Sequence, residues 1–235
     1  REALQMDPQQ GLLLKVTQYA IDNSGIKNES LNESKTAVFV GVSNSDFAHQ
    51  SFEENNSNLL KEHSITGAIN STAAGRISYH YGLVGPCLTL DTACSSSLVA
   101  IDLARTSLLS GQSDQAIVGG VNLLLTPQGY IGLSRVNALS VDGKCKVFDE
   151  SANGYGRGEG CAILVLKRLS DAQKDGDSIR AIIKGSAVNH DGKSSGLTVP
   201  NGLAQERVIK EAMNQACLNI NDITYIEAHG TGTQL

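Results

Sequence analysis

Two spacings are missing from this sequence. None of its five cysteines (Cys87, Cys94, Cys145, Cys161 and Cys217) forms a CxxC pair, and no two of its five histidines lie three to five residues apart. The odd, widely spaced thiols argue against a disulfide framework or a zinc ribbon, and the scattered histidines argue against a metal site. No apolar stretch approaches the length a membrane-spanning helix needs. The net charge is -5 and there is no long basic run, so nucleic acid is not an expected partner. The opening REALQMDPQQG is polar and unlike a signal peptide, so the thiols are expected to be reduced and the protein cytoplasmic. In that setting the N-x-[ST] triplets headed by Asn28, Asn32, Asn55 and Asn70 are chance matches. Tryptophan is absent too, whereas glycine is abundant at 24 residues, which suits a tightly turned α/β protein with close backbone contacts. At 235 residues the chain can build one large layered domain or two small ones, and no linker or low-complexity segment divides it.

What is present is an alternation of helix and strand patterns. Residues 9–25 carry apolar positions at helical spacing and stop at Gly25. TAVFVGV (36–42) reads as a buried strand between the polar loops 28–35 and 49–58. Residues 70–82 read as a helix closed by Gly82 and Gly85-Pro86, CLTLDTA (87–93) as a strand, and residues 95–111 as a helix ended by Gly111. Strands are expected at 115–125, 161–169, 179–188 and 223–230, with an amphipathic helix over 203–218. This order predicts a largely parallel sheet covered by helices.

Candidate chemistry gathers at two strand ends. In LDTACSSSLVAID (90–102) a thiol, Cys94, stands where a strand gives way to a helix, the place where ligands collect in open α/β sheets. Unpaired N–H groups and the positive end of the helix dipole favour a thiolate at such a position. The helix that follows is apolar on most of its circumference, as a helix in the middle of a layered core would be. Taken alone, Cys94 could equally be a small buried hydrophobe. The second junction tips the balance. ITYIEAHGTGT (223–233) runs from a strand into His229, followed by glycines that permit a sharp turn and by Thr231 and Thr233, whose hydroxyls suit a polar ligand arm. A Cys and a His at two strand ends fit a nucleophile and its partner.

These motifs resemble those of β-ketoacyl synthases. GPCLTLDTACSSSLVAI (85–101) and EAHGTGT (227–233) are similar to the active-site cysteine and first active-site histidine motifs of the ketosynthase domains of type I modular polyketide synthases. MDPQQ, LLL, AGRISYHYGLVGP, FDESANGYGRGEG and NHDGKSSGLTVPNG extend the resemblance, in order, along nearly the whole chain. HGTGT favours the polyketide and type I fatty acid branch over stand-alone bacterial fatty acid enzymes, with a fatty acid β-ketoacyl synthase as the alternative. The resemblance implies that Cys94 takes the acyl chain as a thioester. His229 would support decarboxylation of a malonyl-type extender, Thr231 and Thr233 would meet the phosphopantetheine arm of an acyl carrier protein, and the Cys94 N–H would form half of an oxyanion hole. No cofactor or metal is bound directly in this reading. It also implies a homodimer, with QAIVGGVNLLL (115–125) near the interface, and a thiolase-like αβαβα fold of five layers.

The expectation is therefore that residues 1–235 are a partial ketosynthase domain, cut at both ends inside the domain, with the first α/β half nearly complete, the second truncated, and no activity on its own. Gly11 departs from the pattern, where the family usually has Arg. GYGRGEG (154–160) leads into a strand, so a structural turn with an Arg157–Glu159 ion pair is expected instead of a phosphate loop. The turn-rich stretch 189–202 matches a region near the substrate entrance, and His190 is not expected to be catalytic. Asp102 and Asp114 read as ordinary solvent or helix-end carboxylates.

Overall fold

A computed structural model describes residues 1–52 and 60–233. Its sheet has four strands in the order β2-β1-β3-β4, formed by β1 (Thr36–Gly41), β2 (Cys87–Leu90), β3 (Gln115–Asn122) and β4 (Gly160–Lys167). β1 pairs in parallel with β2 and β3, and β3 pairs antiparallel with β4 from Gln115↔Lys167 to Asn122↔Gly160. Every residue of β1 is buried, as a central strand covered on both faces requires.

Side-chain alternation along β1 sorts the core into two clusters. Val38 and Val40 meet Leu13 and Ile21 of α1 (Pro8–Ser24) and Ala73, Ala74 and Ile77 of α4 (Ser71–Tyr81). Ala37 and Phe39 point the other way, onto Ala100, Ala104 and Leu108 of α5 (Ser96–Leu109). α1 begins where Asp7 accepts a hydrogen bond from Gln9 N and Pro8 occupies the first turn, and it ends at the left-handed Gly25. The two glutamines after Pro8 are buried latches. Gln9 reaches Asn44 O and accepts from Leu123 N, while Gln10 bonds Gly67 O and accepts from Arg76 Nε.

Beyond α5 a further set of elements begins. Ser186 donates to Asp102 of α5 at 2.6 Å, and Arg105 donates to Gln215 of α8 (Gly202–Ala216). α8 is capped by Asn201, which accepts from Leu203 N and Ala204 N, and it lies so close to Gly185 that a Cβ there would collide with the backbone of α8. The layering is thus α1 and α4, sheet, α5, then the 185–189 segment with α8.

Three expectations need correction. Residues 46–52, partly assigned to a surface loop, form α2 (Asp46–Phe52), started where Asn44 Oδ1 accepts from Asp46 N; the rest of that loop and the Asn55 triplet lie outside the described residues. Segments 179–188 and 223–230 have strand-forming composition but no ladder hydrogen bonds, because a strand exists only with a neighbour and neither finds one among the described residues. β3 is interior, flanked by β1 and β4, so it has no free edge to offer a partner; β2 and β4 are the open edges. The short helices α3 (Ser64–Ala68), α6 (Gln128–Arg135) and α7 (Leu169–Asp175) carried no periodic signal long enough to be read from sequence.

Candidate active site

Cys94 sits on a tight elbow between β2 and α5. Ala93, the residue before it, is held in the left-handed region at φ 54, a conformation that costs energy for a residue with a side chain. Short hydrogen bonds hold it there. Asp91 Oδ1 accepts from Ala93 N at 2.8 Å, and Ser96 Oγ accepts from Thr92 N at 2.9 Å while donating to Ala93 O at 2.7 Å. Ser43, from the loop after β1, adds a 3.2 Å contact to Ser96 Oγ. The serines around Cys94 therefore brace the turn, Ser95 by donating to Thr92 O.

Register partners Gly41 and Gly120 let this elbow sit directly on the sheet. A Cβ on Gly41 would come within 2.7 Å of Ser96 Cβ, and one on Gly120 within 3.2 Å of Ser97 Cβ. The start of α5 thus rests on two bare backbones, and Cys94 itself is exposed.

His229 lies on a loop that docks against a ledge made by residues 144–147. A Cβ on Gly230 would meet Val147 Cγ1 at 2.6 Å, and one on Gly232 would meet Lys146 N at 3.0 Å. Gly154 N donates to Gly232 O at 2.9 Å. The backbone of the next residue, Tyr155, donates to Ala138 O and accepts from Ser140 N, each at 3.0 Å. Burial pushes its phenol above the usual range, an electrostatic interaction with Cys94 adds to this, and Arg157 opposes it. Gly154-Tyr155 thus joins the histidine loop on one side to the 138–140 segment on the other.

Thr231 and Thr233 stand together, their hydroxyl oxygens 2.9 Å apart. His229 is exposed, and among the described residues no group of three or more His, Cys, Asp or Glu side chains could hold a metal ion.

Other segments behave differently from expectation. Arg157 does not pair with Glu159: its guanidinium lies 4.8 Å from the centre of the Tyr130 ring, and Glu159 accepts from Leu124 N at 2.7 Å. GYGRGEG is nonetheless structural, since a Cβ on Gly156 would collide with Gly143 O. Asp102 ties α5 to Ser186, and Asp114 pairs with Arg168, so neither is a bystander. His190 Nδ1 accepts from Gly192 N within its own turn. Sequence inspection missed Tyr155, Lys146 and Ser43, because nothing in their local spacing marks them.

The chain is similar to known proteins. Residues 1–172 match the family described as Beta-ketoacyl synthase, N-terminal domain, and residues 180–235 match Beta-ketoacyl synthase, C-terminal domain. Across all 235 residues the chain is 49% identical to a phenolphthiocerol/phthiocerol polyketide synthase of Mycobacterium tuberculosis, of which it covers 11%. It is 48% identical to polyketide synthase GfsA of Streptomyces halstedii, covering 3% of that protein. The oxazolomycin ketosynthase domain of Streptomyces albus superimposes with a TM-score of 0.94 at 38% identity, over 100% of this chain and 40% of that one. The ketosynthase from module 6 of the bacillaene synthase of Bacillus subtilis gives 0.87 at 40% identity, over 97% and 38%. The chain spans a small part of these synthases and less than half of the solved ketosynthases, and its fold is the thiolase-like fold of ketosynthases. With a cysteine on a braced elbow, a histidine on a docked loop, and family matches over residues 1–172 and 180–235, the chain belongs to the β-ketoacyl synthase family.

Proposed function

We propose that residues 1–235 are part of one ketosynthase domain of a polyketide synthase, and that the whole protein catalyses decarboxylative Claisen condensation. Cys94 attacks the thioester of an acyl carrier protein, the carrier's phosphopantetheine thiol leaves, and the acyl chain rests on Cys94. A malonyl-type extender on a carrier protein then loses carbon dioxide: the bond between its carboxylate and α-carbon breaks, and the electron pair stays as an enolate. His229 stabilises the oxygen on which that charge develops. The α-carbon attacks the Cys94 thioester, the new carbon–carbon bond forms, and the Cys94 thiolate departs from a β-ketoacyl product. The Cys94 N–H supplies half of the oxyanion hole. Thr231 and Thr233 offer their hydroxyls to the phosphopantetheine arm, which is brought by the substrate and is not a resident cofactor.

The observation that carries this reading is the pair of junctions, an exposed Cys94 on a braced strand-to-helix elbow and His229 on a loop held by the hydrogen bond from Gly154 N to Gly232 O. The protein works in the cytoplasm as a homodimer that pairs through β2. That edge leads directly into the Cys94 elbow and leaves Leu88 half exposed. No helix among the described residues is long and apolar enough to cross a membrane.

The test is intact-mass spectrometry of the full-length synthase beside product formation from malonyl carrier protein. Cys94→Ala abolishes loading and condensation. His229→Ala still loads, but condenses roughly 10²–10³ more slowly, as expected when one oxyanion donor is lost. Failure of His229→Ala to load would make His229 the base that activates the thiol and would overturn this division of roles.

A further inference from the structure

We propose that Lys146 is a positioning residue for His229, a role that rests on the function assigned to His229 above. The ledge under the histidine loop, residues 144–147, belongs to no helix or strand, so tethers must fix its place. Lys146 supplies two of them. Its ammonium donates to Asp142 Oδ1 at 2.7 Å and to Asn153 Oδ1 at 2.7 Å, and the side chain is 21% exposed. The backbone of the same residue is what Gly232 packs against. Asn153 in turn precedes Gly154, whose amide holds Gly232 O.

Lys146 thus touches the histidine loop from below with its backbone. With its side chain it fixes the segment that grips the loop from the side. Cys145, its neighbour, accepts from Gly156 N at 3.3 Å and closes the far end of the same ledge. Losing the ammonium removes two of the tethers that hold the ledge and the 153–154 segment in place, and the Cys94 elbow keeps its own braces from Asp91, Ser96 and Ser43. The two junctions should therefore respond differently to one substitution. Acyl loading depends on the elbow; decarboxylation and condensation depend also on where His229 sits.

The experiment compares Lys146→Met, Lys146→Arg and Asn153→Ala with wild type in the full-length synthase, measuring acyl loading of Cys94 by intact mass and condensation with malonyl carrier protein. Lys146→Met should load within about twofold of wild type yet condense about 10²-fold more slowly, the scale of loss that follows roughly 1 Å of misplacement. Lys146→Arg, which keeps a cation able to reach Asp142 and Asn153, should recover most of that loss. Asn153→Ala, which cuts a single tether, should fall between. Condensation at the wild-type rate in Lys146→Met, a parallel loss of loading, or no difference between the Arg and Met variants would each overturn the proposal. His229→Ala is assayed alongside. A wild-type condensation rate in that variant overturns the role of His229 itself, whatever the Lys146 variants do.

Discussion

The amide of Gly154 donates a 2.9 Å hydrogen bond to the carbonyl oxygen of Gly232, and this bond ties the GYGRGEG turn to the histidine loop. Gly154 has φ 131, a backbone region open essentially to glycine alone, and a Cβ there would fall onto the backbone of Leu139 and Ser140. Gly154→Ala should cost about 1–3 kcal/mol from backbone strain and displace the amide from Gly232. Urea unfolding reads the first effect; an unchanged midpoint would show that the turn relaxes freely.

The thiols should differ in reactivity. Cys161 is half-buried on β4 and its thiol is pushed up to about 11 by burial, so almost none of it is thiolate at neutral pH, whereas Cys94 is exposed on its elbow. Brief iodoacetamide treatment at pH 7, followed by peptide mass spectrometry, should label Cys94 well before Cys161. Labelling in the reverse order would contradict the seating of both residues.

Acid should loosen the ledge under His229. The hydrogen bond from Lys146, helped by Ser140, holds the Asp142 carboxyl at about 2, against a weaker opposing effect of burial. A carboxylate depressed in this way contributes its stabilisation in full above its unfolded value of about 3.9 and loses it as pH falls through the folded value. Between pH 4 and 2, on the order of that interval, wild type should therefore lose more stability than Asp142→Asn. Thermal unfolding of the two proteins across this range checks it, and parallel curves would show that the pair contributes nothing.

Gly11 sits inside α1, where the family pattern has a larger residue. A Cβ there would meet only Met6 Cε at 3.4 Å, an ordinary contact with the end of a flexible side chain. Gly11→Ala should raise stability by about 0.5–1 kcal/mol, the difference in helix propensity. A fall in the unfolding midpoint would mean that α1 has no room at this turn.

The sequence by itself determined the elements whose causes are local. Residues 9–25 predicted α1 because a helical period and a terminal glycine act over a few residues, and the ends at Gly82 and Gly111 followed from the same chemistry. TAVFVGV predicted the buried centre of the sheet, and CLTLDTACSSS predicted a thiol at a strand-to-helix junction, because both patterns are contiguous. Only the tertiary structure decided which strand is interior, since β1, β3 and β4 are all apolar and their order depends on contacts far apart in sequence. It also decided that Arg157 stacks on Tyr130 instead of pairing with Glu159 two residues away, because side-chain direction, not spacing, selects the partner. Segments 179–188 and 223–230 mark the same boundary: strand propensity is written residue by residue, but a ladder requires a second chain segment alongside. The meeting of Gly154, Lys146 and Gly232 is of this second kind, formed by backbone groups that carry no sequence signal until the fold brings them within hydrogen-bonding distance.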